Sequence, residues 1–351
     1  MGLRAVFAAF AVGVVLSVAQ VQAAEVTRPP QFVMLAFDNC SELSRWQDLS
    51  DFSAEMDRTG KRVRFTFFVS GINYIEDADR TVYQGPGQRR GHSPINFGGS
   101  AEDVHKRIGY INALYAKGHE IASHAVGHFN GGRWSAAQWE QEFASYRGVF
   151  ANADAKARGA DSRLDVPPDR IVGFRAPYLA AGPGLYAALR HDGFRYDTSG
   201  ISESNQWPRK DDGTWRFDLV KLTIDGLRRN TLSMDYNFYV AQSHARFDPR
   251  RAEAFKQQML ATYLDYFRAN YTGNRAPLNI GHHFEGLQGG VYNEALKEFA
   301  RRVCGLPEVK CATYSELADF MDQQTPETIA AWQKGDFPHA PAPTMSARLI
   351  R

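Results

Sequence analysis

The chain has 351 residues, 44% hydrophobic and 13% aromatic, an ordinary globular mixture with ample material for a core. Its 41 basic and 39 acidic residues leave a formal charge of +2, which argues against a nucleic-acid footprint. The pairs Arg89-Arg90, Arg228-Arg229 and Arg250-Arg251 accordingly read as solvated faces.

Residues 1–24 read as a signal peptide: Arg4 supplies the positive start, Val6 to Val18 an apolar run, and Val21-Gln22-Ala23 a small-residue cleavage site. That run is short for a membrane span and no other segment could cross a bilayer. A secreted or periplasmic location without stable membrane insertion is expected. Residues 25–325 form one domain, a length that an α/β barrel can reach undivided.

The domain opens with the apolar run Val33–Phe37, which ends in Asp38, Asn39 and Cys40. Then one unit recurs: an amphipathic stretch, a glycine and another apolar run. Phe52 and Met56 precede Gly60, Ile108, Ile111, Leu114 and Tyr115 precede Gly118, and Leu185, Ala188 and Leu189 precede Gly193, each glycine standing where a helix hands over to a strand. Runs at 171–174 and 278–280, with helices near 251–268 and 292–303, extend the pattern. Such alternation predicts parallel β/α architecture. Two insertions interrupt it. Residues 74–97, rich in Gly, Arg, Asn and Pro, are too long for a βα connection and read as a lid or rim. Residues 202–240 carry a "DDGTW" turn and two expected antiparallel strands, "TWRFDLVKLTI" and "NTLSMDYNFYV". Residues 326–351 read as a C-terminal tail. In an oxidising compartment Cys304 and Cys311, flanking a short loop, are expected to pair, leaving Cys40 as a small buried packing residue.

The polar residues fall at one end of the runs. "VMLAF" is followed by Asp38, "EIAS" by His124, "IVGF" by Arg175, "GFRY" by Asp197 and "LNIG" by His282-His283. In a β/α barrel those ends converge on one mouth, where active sites are built. His124 and His128 stand four apart in "SHAVGH". On a helical turn or compact loop that spacing brings their Cβ atoms to about 5–6 Å, within reach of one ion at about 2.0–2.1 Å from each nitrogen. "HEIASH" has its histidines five apart, which defeats zincin-type chelation and makes His119 structural.

These residues resemble the polysaccharide deacetylases, carbohydrate esterase family four. "AFDN" is similar to the family's first motif, "HAVGH" to the second, "RAPY" to the third, "YDTS" to the fourth and "NIGHHF" to the fifth, in family order from about Gln31 to Asp322. The phrases "GFRAPYL", "FDN" and "NRAPL" resemble the chitin-deacetylase branch. The resemblance implies a distorted (β/α) barrel with one divalent metal ion, zinc first, and removal of N-acetyl groups from N-acetylglucosamine polymers of chitin or peptidoglycan type. It makes Asp38 the general base, His124 and His128 the metal ligands with Asn39 beside them, and Arg175 the partner that orients Asp38. The backbone N–H of Tyr178 would help hold the oxyanion, His283 would be the general acid, and Asp197 would tune it. Strand alternation puts His282 and His283 on opposite sides; the resemblance favours His283.

Three positions depart from the family pattern. Asn39 stands where a second Asp is usual, which weakens the metal site; Ala125 replaces Ser or Thr, and Ala36 replaces Thr. The alternative function is therefore a weak enzyme or non-catalytic sugar binder. Metalloprotease and glycosidase chemistries rank below both, since the protease spacing fails and no acidic pair flanks the base. Trp134, Trp207, Trp215 and Tyr239 are candidate sugar platforms, with core packing the equal alternative for each.

Overall fold

A computed structural model describes residues 26–153 and 163–338. The expected signal peptide and the end of the expected tail lie outside the described residues. In chain order come β1 (Gln31–Asp38), α1 (Leu43–Arg58), β2 (Thr66–Val69), α2 (Ala101–Ala116), β3 (Glu120–Ser123), α3 (Ala136–Asn152), β4 (Gly173–Phe174), α4 (Pro183–His191) and β5 (Tyr196–Asp197). The insertion holds β6 (Ile201–Ser202), β7 (Arg209–Asp211), β8 (Thr214–Arg216), β9 (Leu219–Thr223) and β10 (Asn230–Leu232). There follow α5 (Asp235–Ser243), α6 (Ala252–Thr272), β11 (Leu278–His283), α7 (Val291–Val303), β12 (Val309–Ala312), α8 (Tyr314–Asp322) and α9 (Pro326–Lys334).

The main sheet runs β11-β1-β2-β3-β4-β5-β8-β7, with β12 also paired to β1. Every pairing is parallel except β7 with β8, and the sheet curls into a half-barrel. The expected (β/α) barrel architecture is present in this distorted form. A small sheet, β10-β9-β6, sits beside β11, joined by a bridge between Met234 and Gly281.

All eight residues of β1 are buried, the mark of a strand covered on both faces. Val33, Leu35 and Phe37 pack outward among the helices, with Trp46, Phe65 and Phe67; Phe32, Met34 and Ala36 pack inward with Phe68, Tyr196, Tyr314 and Leu317. Asp38 continues the inward series by alternation. The three handover glycines adopt left-handed φ values of 71°, 84° and 75°, which cost a residue without Cβ nothing. Cys304 and Cys311 form a disulfide and Cys40 is buried and free, as expected.

Some segments depart from the expected elements. "TWRFDLVKLTI" divides between β8 and β9, in different sheets, and "NTLSMDYNFYV" is strand only to Leu232. The Asp235 carboxylate accepts the N–H groups of Tyr236 and His283, which turns the chain into α5. Residues 326–334, expected as tail, are helical and anchored by buried Trp332. Helix α3 was not among the expected elements, although Ser135 and Gln138 form a capping box and Trp139, Phe143, Tyr146 and Phe150 recur at helical spacing.

Candidate active site

Asp38 ends β1, and its carboxylate accepts a 2.7 Å bond from Arg175 Nη1. Both side chains are buried. Arg175, one residue beyond β4, donates through Nε to Thr198 Oγ1 at 2.7 Å, and its guanidinium lies 4.3 Å from the centre of the Phe68 ring. Burial alone would raise the Asp38 pKa; the charges of Arg175 and His283, with the Arg175 hydrogen bond, outweigh it and hold the group below the usual carboxylate range. Gly281 makes room for this pair, since a Cβ there would lie 3.0 Å from Arg175 Nη1.

His124 follows β3, and its Nδ1 lies 2.8 Å from the carbonyl oxygen of Arg175. A carbonyl only accepts, so Nδ1 carries the proton and Nε2 keeps its lone pair. His128 faces it with ring centroids 5.0 Å apart. The segment between them is no helix. Ala125 and His128 have φ of 60° and 54°, and the buried Glu142 carboxylate accepts the N–H groups of Val126 at 2.9 Å and Gly127 at 3.1 Å. A compact turn thus supplies the approach. Burial lowers the pKa of both imidazoles, that of His128 to about 3, so both are neutral bases at physiological pH.

Asn39 stands next to Asp38 with φ of 62°, and its amide nitrogen donates to Glu285 Oε1. A carboxylate can only accept, which fixes the amide orientation and leaves Asn39 Oδ1 buried without a partner. His128 Nδ1 is likewise buried and unpartnered. Among the described residues no group of three or more His, Cys, Asp or Glu side chains could hold a metal ion. The donors available are two neutral imidazoles and one orphaned amide oxygen. Their types suit zinc, and they lack an anionic member.

On the neighbouring strand stands His283, last in β11, whose Cα is paired in register with that of Asp38. Its Nδ1 lies 2.7 Å from Asp235 Oδ1. Burial would lower the His283 pKa, but Asp235 beside it prevails and raises it to about 9. His282 points the other way, toward Tyr263 OH at 3.1 Å and Asn293 Oδ1 at 3.4 Å. Two exposed aromatic rings flank the mouth. Tyr178 lies 4.8 Å from the His128 ring and Tyr236 lies 6.1 Å from that of His283. Tyr178 has φ of 58°, a strained value for a bulky residue.

No family model matches the chain, and no curated protein matches it by sequence. Solved structures do match. A candidate polysaccharide deacetylase from Mycobacterium smegmatis is 17% identical over 87% of this chain and 96% of its own, with a TM-score of 0.53. The fold is that of the polysaccharide deacetylases. A second candidate deacetylase, from Pseudomonas aeruginosa, is 18% identical over 80% of this chain and 74% of its own, with a TM-score of 0.48; an allantoinase is 15% identical over 80% and 73%, at 0.49. At 17% identity the first of these likenesses shows the fold alone and leaves the chemistry to the side chains.

Within that fold, Asp38, Arg175, His124, His128 and His283 converge, and Asp197 does not join them at His283. Its Oδ1 accepts from Ser199 at 2.6 Å and its Oδ2 lies 3.3 Å from Arg216 Nη1, while Ser199 Oγ takes the N–H of Ala176 at 2.8 Å. Asp197 therefore braces the Arg175–Tyr178 loop. Asp235 is the residue that sequence reasoning missed. It lies 48 positions before its imidazole, and no spacing rule announces it. Trp207 and Trp215, candidate platforms, are core residues at 3% and 4% exposure, and Trp134 and Tyr239 are partly buried. His119 is structural, bonded to Ser53 Oγ and to Phe65 N–H at 2.9 Å each.

Proposed function

We propose that the protein is an exported, metal-dependent deacetylase that hydrolyses N-acetyl groups of an N-acetylglucosamine-containing polysaccharide, of chitin or peptidoglycan type. One observation carries the reading: a buried carboxylate kept ionised by Arg175, with two neutral imidazoles on one side and, on the adjacent strand, an imidazolium held by Asp235. His124 and His128, with Asn39 Oδ1, would hold one divalent cation, zinc first. Bound there, such a cation supplies Lewis acidity toward an acyl oxygen and lowers the pKa of water.

The chain's own groups divide the remaining work. Asp38, fixed by Arg175, accepts a proton from the attacking water. The Tyr178 N–H, on its strained turn, serves as an oxyanion donor, with Asp197 and Ser199 holding that loop in place. His283, protonated because of Asp235, gives a proton to the departing amine. Tyr178 and Tyr236 offer apolar faces on which sugar rings can stack. The apolar leader at residues 6–18 supports export. Among the described residues no helix is long and apolar enough to cross a membrane.

The test is acetate release from N-acetylglucosamine oligomers and from peptidoglycan, together with metal content. Asp38→Asn should lower turnover by roughly 10²-fold or more, the usual contribution of a positioned base. A second reading, a sugar binder without turnover, draws on the missing anionic ligand at Asn39. Saccharide binding with no acetate from any metal-loaded sample would select it and sink the first.

A further inference from the structure

The loop from α5 to α6 encloses a cavity of about 910 Å³ lined by Arg229, Arg246, Arg250 and Arg251, with Phe247 on its rim and Asp248 its one carboxylate. Arg246 and Arg250 make no ion pair among the described residues. Arg229 is held through Nη1 by the Ala241 carbonyl at 2.8 Å, and the Arg251 guanidinium lies 4.6 Å from the Phe255 ring centre. Four cations facing one carboxylate around a concavity make a field that selects anions. The planar guanidinium fork matches the paired oxygens of a carboxylate or phosphate.

One helix ties the cavity to the active site, its first residue at His283 and its last turn at the cavity. Helix α5 begins at Asp235, bonded to His283, and its nine residues place the cavity roughly 13 Å away at the usual rise per residue. Beyond it, His244 and Ala245 are both left-handed, at φ of 55° and 56°. Gln288, five residues past His283 in the chain, pins the loop. Its Nε2 donates to Ser243 Oγ and to the Arg246 carbonyl at 2.9 and 2.8 Å, and its Oε1 accepts from Asp248 N–H at 2.9 Å. Phe247, 62% exposed, offers an apolar face against which the C–H face of a sugar ring can lie. Anion recognition beside a stacking ring, a few sugar units from the reacting acetyl group, is the chemistry of a charged polysaccharide.

We propose that this cavity is a distal subsite for an anionic group, carboxylate or phosphate ester, carried by the polysaccharide whose acetyl groups reach His283. The inference rests on the deacetylase reading for its substrate and narrows that substrate to acidic glycans.

The experiment measures calorimetric affinity at low salt for N-acetylglucosamine oligomers of matched length in three forms: neutral, uronate-bearing and phosphate-bearing. The wild type and Arg246→Ala/Arg250→Ala are compared, with acetate release followed in parallel. The expected result is a preference for acidic over neutral oligomers that falls roughly tenfold in the variant, the loss that goes with charge-assisted hydrogen bonds. The preference should also shrink with salt. A response to one anion alone identifies which source the site reads. Equal affinity for neutral and acidic oligomers, or a preference that survives the double substitution, overturns the subsite even if acetate is released. Arginine-dependent binding without acetate leaves the subsite standing and removes the deacetylase reading instead.

Discussion

Asn39 and Glu285 face each other as amide and carboxylate, so Asn39→Asp sets two anions in contact. One of them would then hold its proton, and the substitution alone should gain little affinity for zinc while costing about 1–2 kcal/mol of stability. Asn39→Asp/Glu285→Gln restores one donor and one acceptor. That double variant should regain stability and bind zinc more tightly than the wild type, read by urea denaturation and competition with a chelator. Asp235 makes a different prediction. His283 keeps its proton until the pH nears about 9, so acid catalysis should hold through neutral pH and fall beyond that value. Asp235→Asn removes the charge that raises the pKa and should pull the alkaline limb of kcat toward or below the ordinary imidazole value of 6.5. The ion pair's contribution to stability has the matching sign. It is complete below that ordinary value and fades as the pH climbs through about 9.

Helix α9 shows how an element distant from the chemistry supports the barrel. Trp332 lies 4.8 Å from Trp207 and 5.5 Å from Phe320 between ring centres, and its Nε1 donates to the Thr27 carbonyl at 2.9 Å. One side chain thereby joins the entry to β1, the β-rich insertion and α8. Trp332→Ala should cost about 3 kcal/mol or more, the usual price of removing a large buried aromatic. A melting temperature unchanged by that substitution would show the helix to be dispensable. The strand ends were legible in sequence because apolar runs stop abruptly at Asp38, His124, Arg175 and His283, and parallel connections put those stops on one rim. The segment 230–243 was not. Its apolar content suits a strand, and the turn into α5 goes with the Asp235 carboxylate accepting the N–H groups of Tyr236 and the distant His283.

Across the whole molecule, local patterning carried the half-barrel, and long-range partnership decided the site. Alternation along β1 and β11 turns Asp38 and His283 inward and leaves His282 among the helices, a distinction a period of two already contains. The replacement of Asp197 by Asp235 as the imidazole's partner depends on how the small sheet docks beside β11, which no short segment records. The same reach across the molecule governs Glu142. Besides the turn carrying the imidazoles, this carboxylate accepts a bond from Tyr83 OH at 2.9 Å, and Tyr83 belongs to the insertion at 74–97. The rim and the imidazole turn consequently hang from one hinge pin. A saccharide bound against the rim should raise the turn's affinity for a cation, and by reciprocity the cation should tighten the saccharide by the same factor. Tyr83→Phe would sever that linkage, making the cation's dissociation constant, measured by competition with a chelator, indifferent to sugar.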